Sequence, residues 1–199
     1  VESTSSVRVE IIVVDNASTD GSAAAVADEF PVVRVLRNEE PIGYGASNNQ
    51  AFAAASGEYF LVLNNDTLFT PGTLETLVAR LRAEPDIGCL GCRVLNEDDS
   101  LQHSCFRRVS LWNQLFHDLA PTTLVFSKTR LRSRMLEWDH DEDRDVRVLL
   151  GAFMLFPRRV YAEIGGFDEG FKFFVEEFDI CERVHAAGYR VAFTPRASI

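Results

Sequence analysis

The sequence predicts an α/β fold in which a mostly parallel central sheet is flanked by helices. Three short apolar runs support this prediction: VEIIVV at 9–14, VVRVL at 32–36 and EYFLVL at 58–63. They lack polar–apolar alternation, which is typical of strands buried on both faces. Ala-rich segments separate them, so strands and helices alternate along the chain. With 199 residues, of which 46% are hydrophobic, one globular domain can bury a core of its own.

The later elements continue this alternation. After the third run, Thr70 can cap a helix, and IGCLGCRV at 87–94 supplies a further strand. Another strand and a short helix begin near residue 148, followed by a helix that ends at Gly188 and by a last strand. Between 96 and 147 the pattern weakens. That stretch is either a solvated excursion or a flap that faces an acceptor.

Composition argues against several function classes. The chain has 20 Lys and Arg against 30 Asp and Glu, a net charge of −10, which repels nucleic acids and other polyanions. An anionic substrate would need local donors or a metal ion. The four cysteines lack the spacing of a zinc site and are expected to be reduced and buried. The sequence has neither a membrane-spanning run nor a signal-peptide region, so we expect a cytoplasmic protein.

Polar side chains follow the first run, where the strand ends. The segment DNASTDGS offers Asp15 and Asn16, which can hydrogen-bond the edge of a nucleobase or a ribose. Asp20 is a candidate for the same site, but it can equally turn the chain and cap the next helix. On spacing alone, a ligand site and a plain β-to-α turn explain this segment equally well.

A glycine-rich loop follows the second run. In NEEPIGYGASNNQA, Gly43 and Gly45 on either side of Tyr44 allow the backbone to approach a ligand ahead of a helix. The loop lacks the GxGxxG spacing of a dinucleotide fingerprint, and no GxxxxGK[ST] phosphate loop occurs in the sequence. As an isolated feature, this loop is weak evidence for a nucleotide site.

The third run ends abruptly in Asn64, Asn65 and Asp66. A hard divalent ion takes oxygen ligands, often one or two carboxylates together with substrate phosphates. Asp66 and an amide oxygen of Asn64 could provide such ligands, and the ion would neutralise a diphosphate that this acidic protein otherwise repels. The alternative is an Asp that caps a turn.

A second acidic cluster contains Glu176, Glu177 and Asp179. At helical spacing Glu176, Asp179 and Arg183 share one face, and apolar residues share the buried one. One of the three carboxylates can serve as a general base for a hydroxyl nucleophile, because crowded carboxylates in a dry cleft raise one another's pKa. Acidic residues in a first helical turn are also what the helix dipole favours.

Together these segments resemble the inverting, family-2 nucleotide-sugar glycosyltransferases with the Rossmann-like GT-A fold, particularly their rhamnosyltransferase-like branch. The matching blocks follow the family's order and cover most of the chain: VEIIVVDNASTDGS, GYGASNNQAFAAASGEYFLVLNNDTLFTPGTLETL and DHDEDRDVRVLLGAFMLFPRRVYAEIGGFDEGFKFFVEEFDICERVHAAGYRVAFTPRASI. The resemblance implies one domain over 1–199, with a nucleotide-binding half at about 7–95 and an acceptor and catalytic half at about 96–199.

The resemblance also implies roles for individual residues. The nucleotide would lie against Asp15, Asn16, Asp20, Gly43, Tyr44, Asn48, Asn49 and Asn64. Asp66, with Asn64, stands where the family has its metal-binding DxD-type motif and would hold Mg²⁺ or Mn²⁺. Gly151, Ala152 and Asp168 would shape the substrate pocket. Glu177 falls on the family's catalytic Asp, with Glu176 and Asp179 as alternatives for that role.

The mechanism that follows is an in-line displacement with inversion, in which Glu177 takes the proton of the acceptor hydroxyl. The donor would be a dTDP-, UDP- or GDP-sugar, and the acceptor a polysaccharide or a lipid-linked glycan at the inner face of the membrane. Two other functions remain open: a nucleotidyltransferase of similar fold, and a noncatalytic module that binds nucleotide sugars.

Two departures from the family concern the ends of the chain. The family's opening strand, ahead of DNASTDGS, is absent, and the His that the family often supplies to the metal would lie past Ile199. We therefore expect a domain that is truncated at both ends and lacks its first strand.

Overall fold

The computed structural model describes residues 7–107, 135, 137–171 and 175–199. The strands are β1 (Ile12–Asp15), β2 (Arg34–Arg37), β3 (Tyr59–Leu63), β4 (Ile87–Leu95), β5 (Leu101–Gln102), β6 (Cys105–Phe106), β7 (Arg144–Asp145), β8 (Val148–Leu149), β9 (Phe153–Pro157) and β10 (Arg190–Ser198). The helices are α1 (Ser22–Glu29), α2 (Tyr44–Ala54), α3 (Thr73–Ala83), α4 (Arg158–Glu163) and α5 (Glu176–Ala186). The predicted alternation is confirmed through β4. Much of the stretch predicted as an excursion lies outside the described residues.

The main strands of the central sheet run in one direction. Strand β10 pairs in parallel with β4, and β9 lies between β3 and β4 and is antiparallel to both. Strands β3, β4 and β10 are therefore parallel to one another, while β1 and β2 form a separate parallel pair. The mostly parallel sheet is confirmed, but the inserted β9 was not predicted. Because β3, β4 and β10 run the same way, their carboxyl ends meet at one edge, where such folds bind ligands.

Strands β1 and β3, which end at the candidate ligand residues, each have one edge without a strand partner within the described ranges. Strand β1 pairs only with β2, and β3 pairs only with β9. Their side chains nevertheless share one core, because Ile12 and Val14 of β1 pack against the cluster that contains Phe60 and Val62 of β3. The lack of the family's opening strand stays a prediction.

Helices cover both faces of the sheet, as the residues of β9 show. All five residues of this strand are buried. Met154 and Phe156 belong to the core shared with α5, whereas Phe153 and Leu155 belong to the core shared with α3. Successive side chains of a strand face opposite sides. A strand covered on both faces therefore carries no polar alternation.

The four cysteines lie inside the protein. Cys89 and Cys92 of β4, Cys105 of β6 and Cys181 of α5 are free and buried, as predicted. Burial raises the pKa of the Cys92, Cys105 and Cys181 thiols to about 12. In the part of the chain that the structure describes, none of the helices has the length and apolar character needed to cross a membrane.

Candidate functional site

The turn after β3 presents the predicted metal ligands. The backbone N–H of Asn64 donates to the carbonyl of Ala152, with 3.1 Å between N and O. Thr67 Oγ1 donates to the Asn64 carbonyl at 2.8 Å. These bonds fix the turn, while the Asp66 side chain stays exposed. Its carboxylate accepts no hydrogen bond from any described residue, so both oxygens are available to a ligand.

The donor set of this turn suits one kind of metal site. Within the described ranges, no group of three or more His, Cys, Asp and Glu is arranged to hold a metal ion. Mg²⁺ and Mn²⁺ commonly bind one or two carboxylates and complete their shell with water and substrate phosphate. The exposed Asp66 carboxylate, with the Asn64 amide nearby, fits that mode of binding and does not form an all-protein cage.

The loop of Gly151 and Ala152, between β8 and β9, was predicted to shape the substrate pocket. It forms hydrogen bonds with two other parts of the candidate site. The Tyr44 hydroxyl donates to the Gly151 carbonyl, with 2.6 Å between Oη and O. The next carbonyl, that of Ala152, accepts the Asn64 N–H. The start of α2 and the turn after β3 are thus bridged by two consecutive residues.

Glu177 lies half-buried in the first turn of α5. Burial raises the pKa of its carboxyl, a backbone hydrogen bond opposes that rise, and the Glu176 carboxylate adds to it. The pKa of Tyr44 is raised too, first by burial and then by Glu177 and Glu176. The phenol is therefore within electrostatic reach of both carboxylates. A raised pKa brings a carboxylate nearer the range in which a general base works best.

Glu176 corrects the predicted arrangement of α5. We expected it on the face opposite the apolar residues, yet it is only 8% exposed, and its Oε2 has no hydrogen-bond partner in the described part of the chain. Helical side chains lean toward the N-terminus, and Glu176 lies above the buried Ile180 one turn later. The preceding residue, Val175, has a φ of 81°, which is rare for a β-branched residue.

Asp179 is engaged in an ion pair. Arg183 Nε lies 2.8 Å from Asp179 Oδ2, and the same guanidinium donates to the carbonyls of Ile164 and Gly166. The pair therefore ties α5 to the loop that follows α4. A role for Asp179 as the base stays a prediction, and its carboxylate already bonds a cation.

The predicted nucleotide-side residues at the end of β1 and after it accept hydrogen bonds from the backbone of the loops around them. Hydrogen bonds from Ser18 lower the pKa of Asp15, whose Oδ1 lies 3.0 Å from the Ser18 nitrogen. Asn16 Oδ1 accepts the backbone N–H of residue 42 at 2.8 Å, which links the loops after β1 and β2. Asp20 Oδ1 accepts the N–H of Ser22 at 2.9 Å, and the N-cap of α1 is the residue between them, Gly21. Contact of these residues with a nucleotide stays a prediction.

The start of α2 depends on a glycine and an amide. Gly43 has a φ of 87°, in the region that glycine adopts most readily, and it immediately precedes the helix. Asn48 Nδ2 donates to the carbonyl of Tyr44 at 2.9 Å, inside the same helix. Asn48 thus supports the first turn of α2.

Asn49 contacts the loop after α4. Its Nδ2 donates to the Phe167 carbonyl at 2.8 Å and to Glu169 Oε1 at 3.0 Å. Its Oδ1 accepts the Tyr161 hydroxyl and the Phe167 N–H, both at 2.9 Å. These four bonds use every donor and acceptor of the amide. The geometry therefore gives Asn49 a structural role, and its contact with a nucleotide stays a prediction.

Sequence reasoning predicted part of the loop after α4 and missed a buried tyrosine below it. Asp168, predicted for the substrate pocket, is exposed and accepts the Gly170 N–H at 2.8 Å. The loop begins with Gly165 and Gly166, whose φ angles are 76° and 69°. The buried Tyr161 below it was not singled out. The available signal was GGFDE, since adjacent glycines indicate backbone that other residues cannot adopt.

Comparison with known proteins decides the family. The model described as Glycosyl transferase family 2 matches residues 1–165. The chain belongs to glycosyl transferase family 2. This match confirms the resemblance to family 2 that was drawn from the three sequence blocks.

Relatives and solved structures extend the comparison. An N-acetylglucosaminyl-diphospho-decaprenol L-rhamnosyltransferase of Mycobacterium tuberculosis is 27% identical over 209 residues, which cover 96% of this chain and 66% of the relative. GalNAc-T7 with UDP, GalNAc and Mn²⁺ has a TM-score of 0.65 at 18% identity, over 95% of this chain and 36% of that one. A mannosyltransferase of Pyrobaculum calidifontis with GDP-Man and Mn²⁺ has a TM-score of 0.61 at 23% identity, over 96% and 47%.

These neighbours confirm the predicted GT-A fold for the family-2 domain, and the mycobacterial relative supports the rhamnosyltransferase-like branch. The chain spans 66% of that relative and less than half of each solved structure.

Proposed function

We propose that the protein transfers a sugar from a nucleotide-diphosphate donor to an acceptor hydroxyl, with inversion at the anomeric carbon. The observation that carries the proposal is the loop of Gly151 and Ala152. On one side it bonds Tyr44, whose pKa the Glu177 carboxylate helps to raise, and on the other it bonds the turn that exposes Asp66. A candidate base and a candidate metal ligand thus flank one loop. A single displacement needs proton removal and charge stabilisation at the same time.

In this proposal Glu177 acts as the general base. Its carboxylate takes the proton of the acceptor hydroxyl while the hydroxyl oxygen bonds the anomeric carbon and the bond to the diphosphate oxygen breaks. Burial raises the pKa of Glu177, which makes its carboxylate a stronger proton acceptor than an exposed one. A divalent ion on Asp66 and Asn64 would neutralise the departing diphosphate. Gly151 and Ala152 would border the sugar between the two.

The donor would be a dTDP-, UDP- or GDP-sugar, and the acceptor a polysaccharide or a lipid-linked glycan. Support comes from the UDP and GDP-Man in the two solved structures and from the lipid diphosphate in the name of the mycobacterial relative. A chain with a net charge of −10 needs a cation to retain a diphosphate, in line with Mg²⁺ or Mn²⁺. An acceptor of this kind would bring the protein to the inner face of the membrane as a peripheral partner.

The test uses the full-length protein. It is incubated with dTDP-, UDP- and GDP-sugars in Mn²⁺ or Mg²⁺, and release of the nucleoside diphosphate is followed. We expect release from one donor class, lost on chelation and lost in Asp66→Asn. Asp28→Asn removes an exposed carboxylate from α1 and is the matched control that should keep activity.

Three outcomes would contradict the proposal. The first is no release or transfer from any donor by the wild-type protein. The second is release of pyrophosphate from a nucleoside triphosphate and a sugar phosphate, which would identify a nucleotidyltransferase. The third is metal-dependent binding of UDP, GDP or dTDP without turnover, which would identify a noncatalytic binding module.

A further inference from the structure

Tyr44 connects the start of α2 to Gly151 by a hydrogen bond and to Phe167 by a ring contact. We propose that Tyr44 is a positioning residue whose hydroxyl holds the Gly151–Ala152 loop in the place that Glu177 and the attacking hydroxyl require. This role replaces the nucleotide contact that the resemblance implied for Tyr44. The inference rests on the proposed function, because it concerns the geometry of the same displacement.

The contact between Tyr44 and Gly151 is close. The Tyr44 Oη lies 2.6 Å from the Gly151 carbonyl oxygen. A Cβ added at Gly151 would lie 3.3 Å from the same Oη, tighter than ordinary van der Waals contact. Glycine therefore lets the phenol approach, and the phenol in turn fixes the carbonyl. A tyrosine hydroxyl has one proton to donate. Because Gly151 receives it, Tyr44 has none left for a nucleotide.

The phenol is held from the side of α2. Its ring packs edge-on against Phe167, with 5.9 Å between centroids and 75° between planes. A Cβ added at Gly45 would lie 3.0 Å from the Phe167 Cβ, so α2 approaches this loop closely. Asn48 bonds the Tyr44 carbonyl, and Asn49 bonds the Phe167 backbone. The ring, its backbone and the Phe167 loop thus form one packed unit.

The Gly151–Ala152 loop connects this unit to the turn after β3. Ala152, the next residue, accepts the Asn64 N–H at 3.1 Å, two positions before Asp66. A displacement of the Gly151 carbonyl therefore moves the border of the sugar pocket and the turn that presents Asp66. The Tyr44 hydroxyl is the contact that couples both to α2.

The charges around Tyr44 fit support of the loop and not proton transfer. Burial and then the Glu177 and Glu176 carboxylates raise the pKa of Tyr44, so the phenol stays neutral. A neutral phenol that donates to Gly151 offers only lone pairs to its other neighbours, and it cannot take the acceptor's proton. That step is left to Glu177. Misplacement of reacting groups by about 1 Å costs on the order of 100-fold in rate.

Tyr44→Phe tests the inference in the full-length protein, because it removes the hydroxyl and leaves the ring. With the nucleotide sugar that the donor panel identifies, we expect kcat to fall about 10- to 100-fold. Calorimetry with UDP, GDP and dTDP in Mn²⁺ should show a Kd unchanged within about twofold. Tyr189→Phe is the matched control. It removes a hydroxyl that bonds Arg159 and Glu163 beyond the far end of α5, and kcat should be kept.

Gly151→Ala supplies an independent readout. In the wild-type background the new methyl group presses on the Tyr44 oxygen, so kcat should fall. In the Tyr44→Phe background that oxygen is gone, and Gly151→Ala should add little. The two changes should therefore be non-additive, as expected of groups in contact. A merely structural role would lower the unfolding midpoint without this kinetic coupling.

Several results would overturn the inference. They are an unchanged kcat in Tyr44→Phe, a raised nucleotide Kd at unchanged kcat, or an equal cost of Gly151→Ala in both backgrounds. If the wild-type protein is active and the variants give any of these results, the inference about Tyr44 is refuted and the proposed function is not. A wild-type protein that is inactive with every donor refutes the proposed function and, with it, the role of Tyr44.

Discussion

Asn49 and Phe167 are joined by two reciprocal hydrogen bonds. The Asn49 Nδ2 donates to the Phe167 carbonyl at 2.8 Å, and the Phe167 N–H donates to the Asn49 Oδ1 at 2.9 Å. The Asn49 amide thus bonds both the N–H and the carbonyl of Phe167, as the backbone of a neighbouring strand would. The two residues are 118 positions apart in sequence. The pairing fixes α2 to the loop after α4, and thereby fixes the ring of Tyr44 that packs on Phe167.

Asn49→Ala should lower the free energy of unfolding by about 2–4 kcal/mol, because it leaves the Phe167 backbone and the Tyr161 hydroxyl without partners. Urea unfolding measures the change. Asn48→Ala is the control on the same helix, since it removes a bond to the Tyr44 carbonyl within α2 and should cost less than about 1 kcal/mol. Equal costs for the two variants would contradict the role assigned to Asn49.

Gly166→Ala should destabilise the protein more than Gly165→Ala. Both residues have left-handed φ angles, so alanine at either position costs about 1–2 kcal/mol. Only at Gly166 would the new Cβ meet the Asn49 Oδ1, at 2.3 Å, whereas nothing lies within 4 Å of a Cβ at Gly165. We expect an additional cost of at least about 1 kcal/mol at Gly166. The same urea unfolding tests it, and identical losses would refute the contact.

Glu177→Gln should stabilise the fold at neutral pH. Burial raises the pKa of Glu177 in the folded protein above its ordinary value of 4.5. Between the unfolded and the folded pKa, the folded state binds more protons, so stability falls as pH rises. Glutamine carries no charge and avoids this loss. The thermal unfolding midpoint of Glu177→Gln should exceed that of the wild-type protein at neutral pH, but not below pH 4.5. A lower midpoint at neutral pH would argue against this account.

The pH dependence of kcat should identify the base. Only the ionised Glu177 can take a proton, so kcat should rise with pH through an ionisation above the ordinary carboxylate range. Glu177→Gln should lower kcat by at least about 100-fold. Asp179→Asn should keep most of the rate and the same pH profile, because Asp179 bonds Arg183. If Asp179→Asn removes the ionisation and Glu177→Gln does not, Asp179 is the base.

Several features could be predicted because local sequence determines them. Apolar runs without alternation predicted where β1 to β3 lie in the sequence. They did not predict the burial of β1 and β2, which form a separate pair in which no residue is fully buried. The polar residues after β1 and β3 were predicted as neighbours of one site, because the carboxyl ends of parallel strands share an edge. The family resemblance added the acidic residues at the start of α5. The bonds from Asn64 to Ala152 and from Tyr44 to Gly151 join the segments that the sequence singled out.

Other features depend on contacts that no local pattern encodes. The direction of β9 was not predicted, because a strand buried on both faces has the same composition whichever way it runs. The burial of Glu176 depends on how α5 docks against the sheet. The sequence predicted Asn49 as a ligand-binding residue, and it could not predict its bonds to Tyr161, Phe167 and Glu169, which lie more than a hundred positions away.

The four buried thiols are natural probes of local opening in this protein. Thiol reagents react with the exposed thiolate, and these groups are buried, three of them with pKa values of about 12. Labelling of the native protein therefore proceeds only through opening events. Because the thiols lie in β4, β6 and α5, mass spectrometry of labelled peptides would time the opening of each element separately, without any engineered probe.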